Sequence, residues 1–293
     1  MENNIPERNY NTISPSAGAL LAMKALTDIP FAREAAMLAG SQATDITAAS
    51  HRNPAFWARV VHFENRYHSI NQLLTGIQAA NILELSSGFS FRGLATTQQQ
   101  AVHYIDTDLP ELIAAKRSFL QSLSAALPPA AGMLETLPLN ALDAPAFTAT
   151  TGRFRPGQLA ILNEGLLMYL SIPEKEQLCR IIRETLLRHG GYWITADCYL
   201  KHSTAGNPVL QADQELNSFF LQHNIQENMF DSFDDAAGFF RRNGFEIDGE
   251  AQPDYTRLTA YNQLLKNSSP EQLSALRKRG KIQATWRLKP IPS

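Results

Sequence analysis

Residues 80–92 read Ala-Asn-Ile-Leu-Glu-Leu-Ser-Ser-Gly-Phe-Ser-Phe-Arg. The apolar residues Ile82, Leu83 and Leu85 run straight into Ser86, Ser87 and Gly88. This is the pattern of a buried parallel strand that turns tightly toward a helix. Glu84 stands one residue short of the turn, at the carboxyl end of the expected strand. Open α/β sheets bind their ligands at that end. A carboxylate buried there is costly unless a donor meets it.

Downstream of this stretch, strand and helix patterns alternate. Strands are expected over 81–85, 102–107, 159–163, 192–198, 245–248 and 282–288, with a weaker one inside 132–139. Helical patterns fill 93–100, 111–124, 173–188 and 232–243, and the last two stop at Gly190 and Gly244. Residues 252–266 read as a polar connection, and 270–279 as polar but helical. The alternation predicts an α/β protein with a doubly wound sheet of seven strands. Residues 199–230 interrupt the rhythm with Lys201, His202, Phe219, Phe220 and His223, which reads as a lid-like insertion after the fifth strand.

Upstream, residues 1–78 show helical patterns and little strand signal. Residues 16–26 are rich in Ala and Leu, and Asn53-Pro54 opens a helix in which Phe56, Val60, Phe63, Tyr67, Ile70 and Leu74 recur every three or four positions. Arg59 and Arg66 lie seven apart and project from one face. The expected organisation is an N-terminal helical cap over 1–78 and an α/β domain over 79–293.

Composition narrows the function classes. The 293 residues carry a formal net charge of -2, with no dominant block of one sign, which disfavours binding to nucleic acid. Arg277-Lys278-Arg279-Gly280-Lys281 reads as a solvated turn before the final strand. Two cysteines, Cys179 and Cys198, sit in no metal-ligand or disulfide spacing, so neither a metal site nor a disulfide framework is expected. The first residues lack the order of a secretory signal, and no apolar run approaches the roughly 20 residues that span a bilayer. A soluble cytoplasmic protein, free of the membrane, is expected.

Acidic groups fall at successive strand ends: Glu84 after the first, Asp106 and Asp108 after the second, Glu164 after the fourth. Asp108 lies twenty residues beyond Gly88, a spacing suited to receiving both ribose hydroxyls of a nucleoside. The plain alternative is that Asp106 or Asp108 caps the helix that follows. The turn does not spell GxGxxG, which would need glycine at Ser86 and Phe91. A pyrophosphate-bearing dinucleotide is therefore disfavoured, leaving a nucleoside cofactor without one.

Together, residues 82–92, the run Tyr104-Ile105-Asp106-Thr107-Asp108-Leu109-Pro110 with Lys116 beyond, 139–143, and Asn163-Glu164-Gly165-Leu166-Leu167-Met168-Tyr169-Leu170 resemble the leucine carboxyl methyltransferases. The resemblance covers about residues 14–200 and is greatest to a bacterial branch that includes polyketide O-methyltransferases of the tetracenomycin type. It implies the class I S-adenosylmethionine-dependent fold, a Rossmann-like sheet whose seventh strand runs antiparallel. It also implies S-adenosyl-L-methionine as cofactor, with Arg66 (Arg59 in reserve) at the methionine carboxylate and Gly88 beneath the methionine and ribose. Asp108 would take the ribose hydroxyls and Asn140 the adenine amine, Glu164 would face the methionine end, and Glu84 would support the turn around it. Arg92 matches a structural arginine. The family's Gly-Ala-Gly turn is Ser86-Ser87-Gly88 here, tolerable where the serine backbone needs no positive φ.

The implied reaction is in-line attack of an oxygen nucleophile on a sulfonium methyl, helped mainly by holding the partners aligned. The acceptor would be a carboxylate or hydroxyl on a small molecule or peptide terminus. A carboxylate needs no general base; a phenol or alcohol does, and Tyr169, Tyr199, His202 and His223 are the candidates, Tyr169 and His202 foremost. A histidine in a polar loop is otherwise simply solvated, and Tyr169 otherwise a core tyrosine. The competing expectation is a regulatory protein that keeps the fold and binds the cofactor without turnover.

Overall fold

A period of two along the central strands sends neighbouring residues to opposite faces of the sheet. In the computed structural model, which describes residues 14–40, 53–201, 225–278 and 280–292, Ile82, Tyr104, Ala160, Leu162 and Ile194 pack on one face with Ile70 and Leu73 of a long helix. Leu83, Ile105, Ile161 and Trp193 pack on the other, with Leu178 and Ile182. Both faces are covered, so the middle strands carry no exposed residue.

The strands are β1 (Asn81–Leu85), β2 (His103–Asp108), β3 (Met133–Pro138), β4 (Leu159–Asn163), β5 (Gly191–Tyr199), β6 (Phe245–Glu250) and β7 (Gln283–Pro290). They lie in the order β3-β2-β1-β4-β5-β7-β6. Pairings among β1 to β5 are parallel, and β7 runs antiparallel to both β5 and β6. The direction of winding reverses between β1 and β4, which opens a crevice at their carboxyl ends. This is the α/β Rossmann-like methyltransferase sheet expected above.

Helices α1 (Ser14–Lys24), α2 (Ala32–Leu38) and α3 (Pro54–Thr75) precede the sheet. Asn53 caps α3, its Oδ1 accepting from the Phe56 amide at 2.9 Å, with Pro54 in the first turn. The sheet is flanked by α4 (Arg92–Gln99), α5 (Pro110–Ser124), α6 (Ala144–Thr151), α7 (Ile172–His189) and α8 (Phe233–Arg242), followed by α9 (Thr259–Lys266) and α10 (Pro270–Lys278). A capping box between Ser171 and Glu174 starts α7, and Gly190 ends it. No helix among the described residues is long and apolar enough to cross a membrane.

One expected connection is a helix. Within 252–266 the chain forms α9, and Ala260 and Leu264 pack on Trp57, Val60 and Val61 of α3. Its start is capped from far away: the buried Glu64 accepts from the amides of Thr259 at 2.7 Å and Ala260 at 2.9 Å. Local sequence carries no cap signal because the cap lies 195 residues upstream of Thr259.

The turn after β1 departs from the condition set for its serines. Ser86 sits at φ 49 and Gly88 at φ 52. A left-handed conformation costs a residue with a Cβ about 1–2 kcal/mol, part of which glycine returns through greater freedom when unfolded. Ser86→Gly should therefore raise stability by about 0.5–1 kcal/mol, and Ser86→Val should lower it by at least about 1 kcal/mol. Urea unfolding midpoints check both; a destabilised Ser86→Gly variant would show that the serine side chain outweighs the backbone strain.

Candidate active site at the carboxyl ends of the central strands

The donors that meet Glu84 come from the protein itself. Arg92, the first residue of α4, is 1% exposed and stacks on the Tyr67 ring 4.0 Å from its centroid. Its Nε donates to Glu84 Oε1 at 3.4 Å, Nη1 to the Tyr67 carbonyl at 3.0 Å and to Asn71 Oδ1, and Nη2 to Glu164 Oε2 at 3.0 Å. The second oxygen of Glu84 accepts from the Tyr104 hydroxyl at 2.6 Å. Burial and the neighbouring carboxylate hold that phenol well above its ordinary pKa, so it remains a donor. One guanidinium thus ties α3, β1, α4 and the end of β4 together.

The two aspartates of β2 differ in role. Lys116 on α5 places Nζ 2.9 Å from Asp106 Oδ2 and donates to Ser87 Oγ at 2.8 Å, all in fully enclosed surroundings. Burial and nearby Glu84 raise the Asp106 pKa to about 6 against the pull of Lys116. Asp108 sits at the strand end, where Oδ2 accepts from the Gly88 amide at 2.7 Å and Oδ1 from the Leu109 amide at 2.7 Å. Burial raises its pKa, opposed by those two amides. Neither aspartate caps α5, whose N-cap position is Leu109.

Beyond β4, Glu164 is enclosed by three cations. Lys24 Nζ donates to Oε1 at 2.8 Å, Arg92 takes Oε2, and Arg66 Nη2 lies 3.9 Å from Oε1. Burial alone would raise the Glu164 pKa, but Lys24, Arg66 and Arg92 together bring it down to about 2. Burial lowers the Lys24 pKa even with Glu164 beside it. The loop that carries Glu164 is shaped by Asp197 in β5. Its Oδ1 accepts from the Gly165 amide at 2.7 Å, and its Oδ2 from Leu166 at 2.6 Å, Leu167 at 3.1 Å and Asn163 Nδ2 at 2.6 Å.

Arg66 is 2% exposed and approaches Gly165 so closely that a Cβ there would meet Nη2 at 3.1 Å. Its Nη2 is 3.5 Å from Asp197 Oδ1 but out of line for a hydrogen bond. Both Nε and Nη2 of Arg66 are buried donors without a hydrogen-bond partner in the protein. Leaving such buried donors unmet is costly. Its charge-bearing carbon lies 5.7 Å from the ring centroids of Phe63 and Tyr199. Tyr199 ends β5, and its hydroxyl is 2.7 Å from His62 Nε2. Tyr169, in the short 3-10 turn Leu167–Tyr169, packs against the cluster of Tyr199, Ile225 and Met229.

Arg66, Glu84, Gly88, Asp108 and Glu164 therefore meet around the crevice. Asn140 lies exposed past β3, its Oδ1 accepting from the Leu142 amide at 3.0 Å. His202 and His223 lie outside the described residues. Lys24, His62, Asp197 and Lys116 take part without having been singled out for these contacts. The one signal for Asp197 was an acid inside the otherwise apolar run of β5. Separately, Asp28, in the turn between α1 and α2, approaches Glu64 and His68 of α3, but Glu64 already serves the start of α9.

A family model described as leucine carboxyl methyltransferase matches residues 12–183, more than half of the chain. The chain belongs to this family and is a methyltransferase. No curated protein sequence matches it significantly. Among solved structures, a DUF574-family protein from Streptomyces avermitilis is similar at TM-score 0.51 and 14% identity, over 94% of this chain and 97% of that one. That likeness is one of fold. Magnesium protoporphyrin IX methyltransferase from Synechocystis, with bound SAH, aligns at TM-score 0.46 and 8% identity, over 79% of this chain and 84% of that one. LepI, in complex with SAH and a substrate analogue, aligns at TM-score 0.43 and 10% identity over 73% of this chain, which spans 43% of LepI.

The charge cluster has a pH signature. The Glu164 pKa falls from 4.5 to about 2 on folding, so its contribution is complete above the ordinary carboxylate range. It is lost as pH falls from about 4.5 toward 2. The lowered Lys24 pKa acts at the alkaline end and leaves this limb alone. Glu164→Gln should lower stability at neutral pH by about 3 kcal/mol, because it leaves the buried Lys24 without its carboxylate and takes one from Arg92 and Arg66. It should also flatten the loss between pH 5 and 2, measured by urea unfolding at each pH; an unchanged acid limb would place the titrating group elsewhere.

Proposed function

We propose that this methyltransferase uses S-adenosyl-L-methionine to methylate an oxygen, a carboxylate or hydroxyl of a small molecule or peptide terminus. The observation that carries the reading is Arg66, with two buried donors unmet beside the Glu164–Gly165 loop. When bound, S-adenosylmethionine supplies a sulfonium methyl group that an oxygen nucleophile can take. Arg66 holds the methionine carboxylate through its open Nε and Nη2. Glu164, kept ionised by its three cations, accepts from the methionine ammonium.

Gly88 leaves room under the ribose, where an added Cβ would meet no backbone and just Ala17 at 3.9 Å. Asp108 receives the ribose hydroxyls with the lone pairs its two amide partners leave. Asn140 reads the adenine amine, while Glu84 acts on the turn through Arg92. The helical cap over 1–78 contributes Lys24 and Arg66, so the cofactor is held between it and the domain over 79–293. Tyr169 lies on the acceptor side, and His202 belongs to the insertion expected to cover it.

The protein works in the cytoplasm, consistent with two free, buried cysteines, and engages neither nucleic acid nor a membrane. Isothermal titration with S-adenosylmethionine tests the assignment. Arg66→Gln and Asp108→Ala should each weaken binding at least about tenfold, the size of one charge-assisted hydrogen bond, with circular dichroism unchanged. Wild-type affinity in both variants would remove these residues from the cofactor site.

A further inference from the structure

Helix α5 buries Leu112, Ile113 and Leu120 on one stripe, and the remaining member of that stripe is a lysine. Lys116 is 0% exposed, as is its partner Asp106 in β2. The ammonium stands 5.9 Å from the centroid of the Phe91 ring, pairs with Asp106 Oδ2 at 2.9 Å and donates to Ser87 Oγ at 2.8 Å. An apolar side chain of similar length would fill this space without the desolvation of a charge.

The ion pair does not by itself account for the lysine. Replacing a buried pair by apolar residues is often neutral or stabilising. Burial and nearby Glu84 raise the Asp106 pKa above its ordinary value, to about 6, even with Lys116 beside it. An acid whose pKa is raised by folding costs stability once the pH exceeds its unfolded value, so at neutral pH the ionised Asp106 weakens the fold. What the ammonium adds is its hydrogen bond to Ser87.

Ser87 is the centre of the turn after β1. Its neighbours Ser86 and Gly88 both take left-handed backbone, at φ 49 and φ 52. Local strain of this kind persists where the surroundings over-determine it. The Ser87 amide donates to the Thr107 carbonyl at 2.9 Å, and the Ser87 carbonyl accepts from the Ser90 amide at 2.9 Å. The Gly88 amide donates to Asp108 Oδ2 at 2.7 Å. These bonds tie the turn to the end of β2 and to the start of α4. Through the Ser87 hydroxyl, α5 holds it as well.

We propose that Lys116 is a positioning residue for the cofactor: its bond to Ser87 holds the turn at 86–88 in the shape on which the nucleoside half of S-adenosylmethionine rests. This deepens the proposed function and rests on it. Lys116 is fully enclosed and acts through Ser87, not on the ligand. Without that bond the turn spreads over other shapes, and apparent affinity falls with the fraction of molecules that keep the competent one. Losing one hydrogen bond to a charged group lowers that fraction at least about tenfold. Arg66 serves the amino-acid half of the ligand, so the two contributions separate by choice of ligand.

Titration calorimetry with S-adenosylhomocysteine and with methylthioadenosine, beside urea unfolding of each variant, is the test. Ser87→Ala removes the hydroxyl alone. Lys116→Met combined with Asp106→Leu removes the ammonium together with its counterion, so no buried charge is left unpaired. Each variant should weaken both ligands by the same factor, at least about tenfold. Combining the three substitutions should weaken binding by no more than about twofold beyond either, because hydroxyl and ammonium make one contact. Wild-type affinity in Ser87→Ala, whatever its unfolding midpoint, would show a merely structural bond and overturn the proposal. Losses that multiply in the combined variant overturn it, as does a loss confined to S-adenosylhomocysteine. If the charge-pair variant does not fold, the two affinities of Ser87→Ala decide alone. A wild type that binds neither ligand sinks the cofactor reading and this inference with it; a wild type that binds both, with variants to match, sinks this inference alone.

Discussion

The site depends on where one arginine spends its hydrogen bonds. Arg92 opens α4, yet its guanidinium reaches back under the turn to Glu84, across to the Tyr67 carbonyl and Asn71 on α3, and over to Glu164 beyond β4. A buried guanidinium with these partners cannot give one up cheaply, since losing a partner of a buried charge costs about 3–5 kcal/mol. The consequence is geometric. The long N-terminal helix is locked in angle and height above the carboxyl ends of β1 and β4, and everything else α3 carries is delivered to fixed positions.

Arg66 is the main beneficiary. It sits one residue before Tyr67, on whose ring Arg92 stacks, and it arrives over the Glu164–Gly165 loop with two donors unmet. The loop itself is shaped by Asp197, which gathers three consecutive amides and the Asn163 side chain. A buried carboxylate that accepts so many bonds is a rigid template. The protein thus uses two acids, Glu84 and Asp197, to build the floor, while Asp108 and Glu164 stand at the strand ends with their oxygens met by backbone amides and by cations respectively. Ser86 fits the same scheme: its left-handed backbone is a local strain tolerated because the turn beside Gly88 is over-determined from below.

Much of this was legible in the residues. The alternation of strand and helix placed Glu84, Asp108 and Glu164 at successive strand ends, the spacing of Arg59 and Arg66 put both on one face of α3, and the resemblance favoured Arg66 of the two. Contacts between distant residues were not legible. Lys24 meets Glu164 across 140 positions, and His62 meets Tyr199 across 137; nothing local marks either pair. Asp106 and Asp108 look alike in a strand because they share a face. Lys116 separates them by reaching Asp106 from α5, while Asp108 stays at the strand end. The Glu64 cap on α9 was hidden for the same reason, being supplied from another part of the chain.

The central claim is that Arg66 is left open for the carboxylate of the cofactor's amino-acid half. Titration calorimetry with two ligands isolates that contact: S-adenosylhomocysteine, and methylthioadenosine, which keeps the nucleoside and sulfur but lacks the amino-acid half. Wild type should prefer S-adenosylhomocysteine by at least about tenfold, and Arg66→Gln should erase most of that preference while leaving methylthioadenosine affinity unchanged. A preference that survives in Arg66→Gln would contradict the account and move the carboxylate to another cation.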